Sequence, residues 1–232
     1  MHFKHYNAHM IDTPMNIKID NSPLEQKQNS KFLGVNIDDK LTWNDHLRHV
    51  TSCISRGVGI MFKLKPLLPQ TTLFLLYNTM VLPYITYCNI VWANCGKTKL
   101  NPILLLQKRA LRICTGSSYL ANSDPLFHKL KTLKVTDLNS LQVAIFMFKY
   151  SNKQLPSPFQ TFFTLNNTIH SYPTRNCENF HLTNPKLMIA HKSIRHHGPD
   201  LWNNLSIAIK SCSTLYSFKA AMKRNLLSLY NT

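Results

Sequence analysis

The sequence predicts a mainly α protein, with a short β-hairpin at its amino-terminal end and helices beyond it. Two observations carry this. Strand-like alternation is confined to the residues before Lys40. After Thr42 apolar residues recur instead at three- and four-residue steps, as one face of a helix requires.

Residues 1–30 are polar and irregular, with Pro14 and Pro23. Within them Met15–Asp20 alternates as a short strand and Asp20-Asn21-Ser22-Pro23 reads as a turn. Lys31–Ile37 gives a second extended stretch, so a hairpin is expected here. Trp43, Leu47, Val50, Ile54, Val58 and Met61 then mark a helical face, with Thr42 as its cap and Pro66 beyond its end. Helices are expected over Gln70–Leu82, Pro83–Ala93 and Lys99–Cys114, the last stopped by Gly116 and buried through Ile103, Leu106, Ala110 and Ile113. Ser123 and Asp124 start a short helix at Pro125. Asp137 leads into another carrying Leu138, Leu141, Ile145 and Phe148, ending near Asn152. Residues 153–192, with Pro156, Pro158, Pro173 and Pro185, read as a connector without strong regular structure. Helices over Ser193–Leu205 and Thr214–Tyr230 close the chain, and no internal repeat is visible.

At 232 residues, 44% of them hydrophobic, the chain can bury a core and is not a disordered tail. Its charge is one-sided: 27 Lys and Arg against 10 Asp and Glu, a formal net charge of +17. No carboxylate lies between Asp45 and Asp124, where Arg48, Arg56, Lys63, Lys65, Lys97, Lys99, Lys108, Arg109 and Arg112 fall. None follows Asp200, while Lys210, Lys219, Lys223 and Arg224 do. Cations with so few internal partners point to a polyanion, nucleic acid first and an anionic membrane surface second.

Other classes are argued against. The six cysteines are not closely paired and no signal peptide precedes them, so free thiols in a reducing, intracellular setting (nucleus or cytoplasm, not secreted) are expected. There is no C-x-x-C, and His196-His197 has no cysteine pair nearby, so these histidines are read as surface or phosphate-facing rather than zinc ligands. Pro66–Gly96 is uncharged but is interrupted by Asn78, Thr79, Pro83, Thr86, Asn89 and Asn94, which suits a buried helical hairpin better than a membrane span. No Gly-rich phosphate loop and no G-x-S-x-G elbow occurs. In Asn36-Ile37-Asp38-Asp39 the acidic pair lacks a preceding aromatic and a third carboxylate, and it stands at a helix entry. Capping, not metal binding, is expected of it. No catalytic and no metal-ligating residue is assigned.

The run Lys31-Phe32-Leu33-Gly34-Val35-Asn36-Ile37-Asp38-Asp39-Lys40-Leu41-Thr42-Trp43-Asn44-Asp45-His46 resembles a segment of the reverse transcriptases of non-LTR (LINE-type, jockey-like) retrotransposons, K-F-L-G-V-x-I-D-x-x-L-x-W-x-x-H. Leu76–Cys88 is similar to the family's helix pair around a proline. Leu105–Arg112 is similar to its Q-K-R-A-L-R helix, and Arg195–Leu205 to its G-P-x-L-W-N-x-L stretch, with Phe218-Lys219 following. The likeness runs from about Met15 through most of the chain.

The resemblance implies that residues 1–39 correspond to the last palm strands and 40–118 to a helical thumb-like domain. A helical continuation (119–152), the Pro- and Asn-rich connector (153–192) and carboxyl-terminal helices (193–232) follow. In the family the catalytic Y/F-x-D-D hairpin, the fingers and the endonuclease lie upstream of this region, so a truncated open reading frame is expected. Mg²⁺ is then expected only for the intact polymerase, and no cofactor for this chain. The thumb of such polymerases grips the template–primer duplex by its backbone. Lys97, Lys99, Lys108, Arg109 and Arg112 are accordingly expected to contact RNA or an RNA–DNA hybrid without sequence preference. Trp43, Trp92 and Trp202 are expected to anchor the core. Two other readings stay open, a helical protein-interaction module derived from a retroelement and a membrane-associated helical protein.

Overall fold

The hydrogen-bonding groups of an isolated extended stretch need partners, and here the chain supplies them by folding back on itself twice. The computed structural model describes residue 3 and residues 17–169 and 176–230. Lys18–Ile19 (β1) pairs antiparallel with Ser22–Pro23 (β2) across Asp20-Asn21, both at positive φ, 48° and 63°. The start of the expected first strand, Met15 and Asn16, lies outside the described residues. The second expected stretch is not the partner of the first. It is a hairpin of its own, Asn29–Phe32 (β3) against Val35–Asp38 (β4), reversed at Leu33-Gly34 with φ of 45° and 79°. Tyr87 donates its hydroxyl to the Leu33 carbonyl (2.6 Å), and a side chain at Gly34 would stand 3.4 Å from the Tyr87 ring.

Helix α1 (Asn44–Leu64) begins one residue later than the Thr42 cap predicts. Trp43 occupies the cap position in the left-handed region, φ 65°, and the cap comes from further back. The two carboxylate oxygens of Asp38 accept the backbone amides of Thr42 and Trp43, each at 2.8 Å. Gly57 does not break the helix. It lies where α1 crosses α2 (Gln70–Met80), and a Cβ there would stand 3.1 Å from the Met80 carbonyl oxygen.

The expected helix over 83–93 is split. Leu82–Thr86 (α3) and Asn89–Trp92 (α4) are separated at Cys88, φ 47°, and a 3₁₀ turn at Ala93–Cys95 follows. Side chains take up carbonyls freed by the break: Asn89 Nδ2 donates to Ile85 (2.9 Å) and Trp92 Nε1 to Tyr87 (2.9 Å). Helix α5 (Lys97–Thr115) stops at Gly116, φ 68°, whose amide and that of Ser117 close onto the Ile113 and Arg112 carbonyls. Asp124–Lys129 (α6) and Val135–Ser151 (α7) come next, α7 starting ahead of Asp137.

Residues 153–192 hold a 3₁₀ turn (Ser157–Phe159) and two single-turn helices, Asn166–Ile169 (α8) and Met188–His191 (α9). The segment is nonetheless seated. Phe159, Phe162, Phe163 and Phe180 form edge-to-face and tilted contacts with one another and with Phe146 and Tyr150 of α7. Ile194–Asn203 (α10), Ile207–Lys210 (α11) and Leu215–Ser228 (α12) complete the chain. In the Gly-Pro-x-Leu-Trp-Asn stretch each distinctive residue has a packing role. A Cβ on Gly198 would stand 2.8 Å from the Met147 sulfur of α7. Trp202 stacks on Phe218 of α12, and Asn203 both donates to and accepts from the backbone of Phe180 (2.8 and 3.0 Å).

One hydrophobic cluster runs from Leu47 on α1 to Tyr230 beyond α12. Trp92 and Trp202 lie within it, and Trp43 packs half-buried against it. At its centre is a polar node. Fully buried Gln107 on α5 donates Nε2 to Tyr77 Oη of α2 (2.9 Å) and to the Leu133 carbonyl (2.8 Å), and accepts the Val135 amide on Oε1 (3.0 Å). The uncharged stretch lies here too, with Leu73, Tyr77, Val81, Ile85 and Trp92 buried. No single helix among the described residues is long and apolar enough to cross a membrane. By length and composition alone one bent pair, 70–86 with 89–95, passes.

Replacing Gln107 by Leu strands the Leu133 carbonyl and the Val135 amide, and is expected to lower unfolding free energy by about 2–4 kcal/mol in urea titrations. His46 and His197 are held below the ordinary imidazole range, chiefly by burial. The unfolded chain therefore takes up protons before the native one, and stability should fall as pH drops through about 6.5. The check is the urea midpoint against pH from 8 to 5; a midpoint that rises on acidification contradicts it.

Candidate nucleic-acid interface

With Leu47, Val50, Ile54, Val58 and Met61 facing the core, helical spacing puts Arg48, Thr51, Ser52, Ser55 and Arg56 together on an outer stripe of α1. Helix α5 runs alongside in the same direction. Its Lys99 donates Nζ to the Thr42 carbonyl just before α1 (2.7 Å), and two turns or more later Arg109 lies over the ring of Phe62 near the end of α1 (5.7 Å). Between the two helices an open groove of about 540 Å³ is lined by Arg48, Ser52, Ser55, Arg56, Lys99 and Pro102, with Leu47 and Thr51 completing it. Three cations and three hydroxyls along an open trough are donors suited to phosphate oxygens.

These cations are lightly engaged. Arg48 pairs with Asp45 three residues away (2.8 Å), an exposed contact of little energetic weight. Arg56 gives one nitrogen to the Cys53 sulfur (3.2 Å). The other ion pairs among the described residues, Lys27–Glu25 and Lys134–Asp124, are elsewhere in the chain. Lys134–Asp124 belongs to a carboxyl-terminal clasp. There Lys134 also lies over the Tyr230 ring (4.5 Å), and Tyr230 donates a hydrogen bond to Asp137; burial, helped by that bond, holds the phenol far above its ordinary range.

The five cations expected from the sequence do not form one surface. At about 100° per residue, Lys97, Lys108 and Arg112 lie within about 60° of one another on α5, Lys99 lies on the opposite flank, and Arg109 lies between them. Arg112 is half-buried and donates Nε to the Ala121 carbonyl (2.9 Å), which holds the loop after Gly116. Lys108 is half-buried and Lys97 exposed. Arg48 and Arg56 were missing from the expected set, although the Arg-x-x-Thr-Ser-x-x-Ser-Arg spacing already put them in phase.

His196 and His197 are both half-buried. His196 donates to the Thr183 carbonyl (2.9 Å) and meets His191 (3.3 Å between nitrogens), while burial keeps His197 low. The capping reading of Asp38 stands, since both its oxygens serve backbone amides. Among the described residues no three His, Cys, Asp or Glu side chains gather as a metal would require. The donor set present therefore does not fit a catalytic metal pair. All six cysteines are free thiols, and burial pushes the Cys114 thiol up to about 12.

Comparison with known proteins agrees with the resemblance read from the motifs. The chain is 28% identical over 144 residues to the probable RNA-directed DNA polymerase from transposon BS of Drosophila melanogaster, covering 59% of this chain and 15% of that protein. It is 27% identical over 119 residues to the RNA-directed DNA polymerase from mobile element jockey of the same organism, 49% of this chain and 13% of that one. For the probable RNA-directed DNA polymerase from transposon X-element of that fly the identity is 23% over 128 residues, 54% and 14%. The aligned region thus spans less than a fifth of each relative. No family model matches, and no solved structure gives a significant match.

Asp38→Ala should lower stability by about 1–2 kcal/mol in denaturant, the weight of a lost helix cap. Asp39→Ala, beside it, should change the same midpoint little.

Proposed function

From its relationship to the RNA-directed DNA polymerases of non-LTR retrotransposons, we propose that this chain holds RNA or an RNA–DNA hybrid by its backbone phosphates, without sequence preference and without polymerising on its own. The observation that supports this best is the α1–α5 groove, in which Arg48, Arg56 and Lys99 stand among hydroxyls. Ser and Thr hydroxyls and flexible cations recognise phosphate and ribose, which every sequence presents alike. Helices anchored by an apolar back give such cations a fixed spacing, as a grip on a regular backbone needs.

The arrangement of the carboxylates supports the second half of this proposal. Polymerase chemistry uses a pair of metal ions to hold the attacking and leaving oxygens. Asp38 is occupied by two amides instead. A second reading, docking on another polypeptide, draws support from the hairpins, where Ile17, Ile19, Leu24, Phe32 and Leu33 are exposed.

Affinity for a primed RNA template should fall steeply between 50 and 200 mM salt, with a log–log slope near the number of phosphates contacted. Arg56→Glu should flatten that slope and weaken RNA and hybrid alike. A salt-independent affinity contradicts the reading, as does primer extension by the purified chain with dNTPs and Mg²⁺. Charge reversal at Arg48, Arg56 and Lys99 that leaves RNA retention intact contradicts the groove as the contact surface.

A further inference from the structure

We propose that Phe62 and Arg109 form a stacking platform for one unpaired nucleobase, of RNA or DNA, at the far end of the α1–α5 groove. This rests on the phosphate-binding reading of the groove and adds to it what happens to the base. Phe62 is 56% exposed although its neighbour Met61 is fully buried, so core packing does not account for a phenyl ring at this position. The Arg109 guanidinium sits over that ring at 5.7 Å, and no carboxylate among the described residues forms an ion pair with it. Leu105, one turn earlier on α5, is also 56% exposed and widens the apolar surface.

The spacing fits a nucleotide. Phe62 follows groove-lining Ser55, the neighbour of Arg56, by seven residues, two helical turns and about 10 Å on the same face of α1. A strand with a phosphate at Arg56 would bring a neighbouring base to the ring. A π-face beside a cationic trough is how single strands are held without reading sequence, because every base can stack and the guanidinium adds a cation–π contribution. A fully paired duplex keeps its bases inside the stack and cannot use the platform. The groove then distinguishes an unpaired overhang from a blunt helix, although its cations cannot.

The test uses the full chain in fluorescence anisotropy with labelled oligouridylate, oligothymidylate and an abasic deoxyribose-phosphate strand of equal length. Wild type should bind both base-bearing strands more tightly than the abasic one. Phe62→Ala should weaken base-bearing strands roughly tenfold, the size of one stacked base, and leave the abasic strand unchanged. Phe62→Trp should restore affinity, with indole emission quenched by base-bearing strands and not by the abasic one. Loss of affinity for all strands alike, or for none, on Phe62→Ala overturns the platform. So does self-association that Phe62→Ala abolishes with oligonucleotide affinity intact, which assigns the ring to a protein contact. Arg56→Glu reports on the groove separately: it should weaken every strand, abasic included. If it weakens none while Phe62→Ala still acts on base-bearing strands, the phosphate reading fails and the platform stands.

Discussion

The fold turns on one buried amide. Gln107 lies in an apolar centre where an unpartnered polar group costs about 1–3 kcal/mol, and its side chain is satisfied at both ends at once. Each partner sits on a different part of the chain: Tyr77 on α2, the Leu133 carbonyl in the turn before α7, and the Val135 amide at the start of α7. Apolar packing is non-directional and tolerates sliding; a hydrogen-bonded amide does not. The node therefore fixes the register of α5 against α2 and α7. With α5 fixed, the flank carrying Lys99 and Arg109 is turned toward α1.

That geometry explains how a chain with a net charge of +17 keeps a packed core. The cations are carried on outer stripes of helices whose inner faces are apolar, and long side chains let the charge reach water while the stem covers the helix. Some are used internally: Lys99 on the Thr42 carbonyl, Arg112 on Ala121, and Lys192 on Cys95. Few are neutralised by carboxylates. The surface potential that results suits a polyanion and bears on association rate as much as on affinity.

Much of this was legible in the sequence, and the exceptions have physical causes. The helical periods of α1 and α5 located those elements because each buries one face; α7 is instead enclosed by neighbouring helices, with Val143, Ala144 and Met147 buried and the expected Leu138, Leu141 and Ile145 only half-buried. The hairpin reversal at Leu33-Gly34 was missed because leucine rarely takes positive φ, and the Tyr87 hydroxyl that bonds this turn comes from far along the chain. The cap of α1 was misassigned to Thr42 because Asp38 reaches it from a strand, a spacing no capping pattern describes. The break at Cys88 depends on Asn89 and Trp92 bonding the freed carbonyls, a tertiary event. As for the site, helical phase alone could have separated Lys97 and Lys108 from Lys99. Which flank meets α1 depends on packing with α2 and α7, and no local pattern encodes it.

Asp38 ends a strand and begins a helix in the same side chain, so β4 and α1 cannot move independently. The Tyr87 hydroxyl anchors the other end of the hairpin at Leu33, giving it a fulcrum. The exposed Phe32 and Leu33 thus stand on a hairpin tied at its tip to α3's end and at its base to the helix that walls the basic trough.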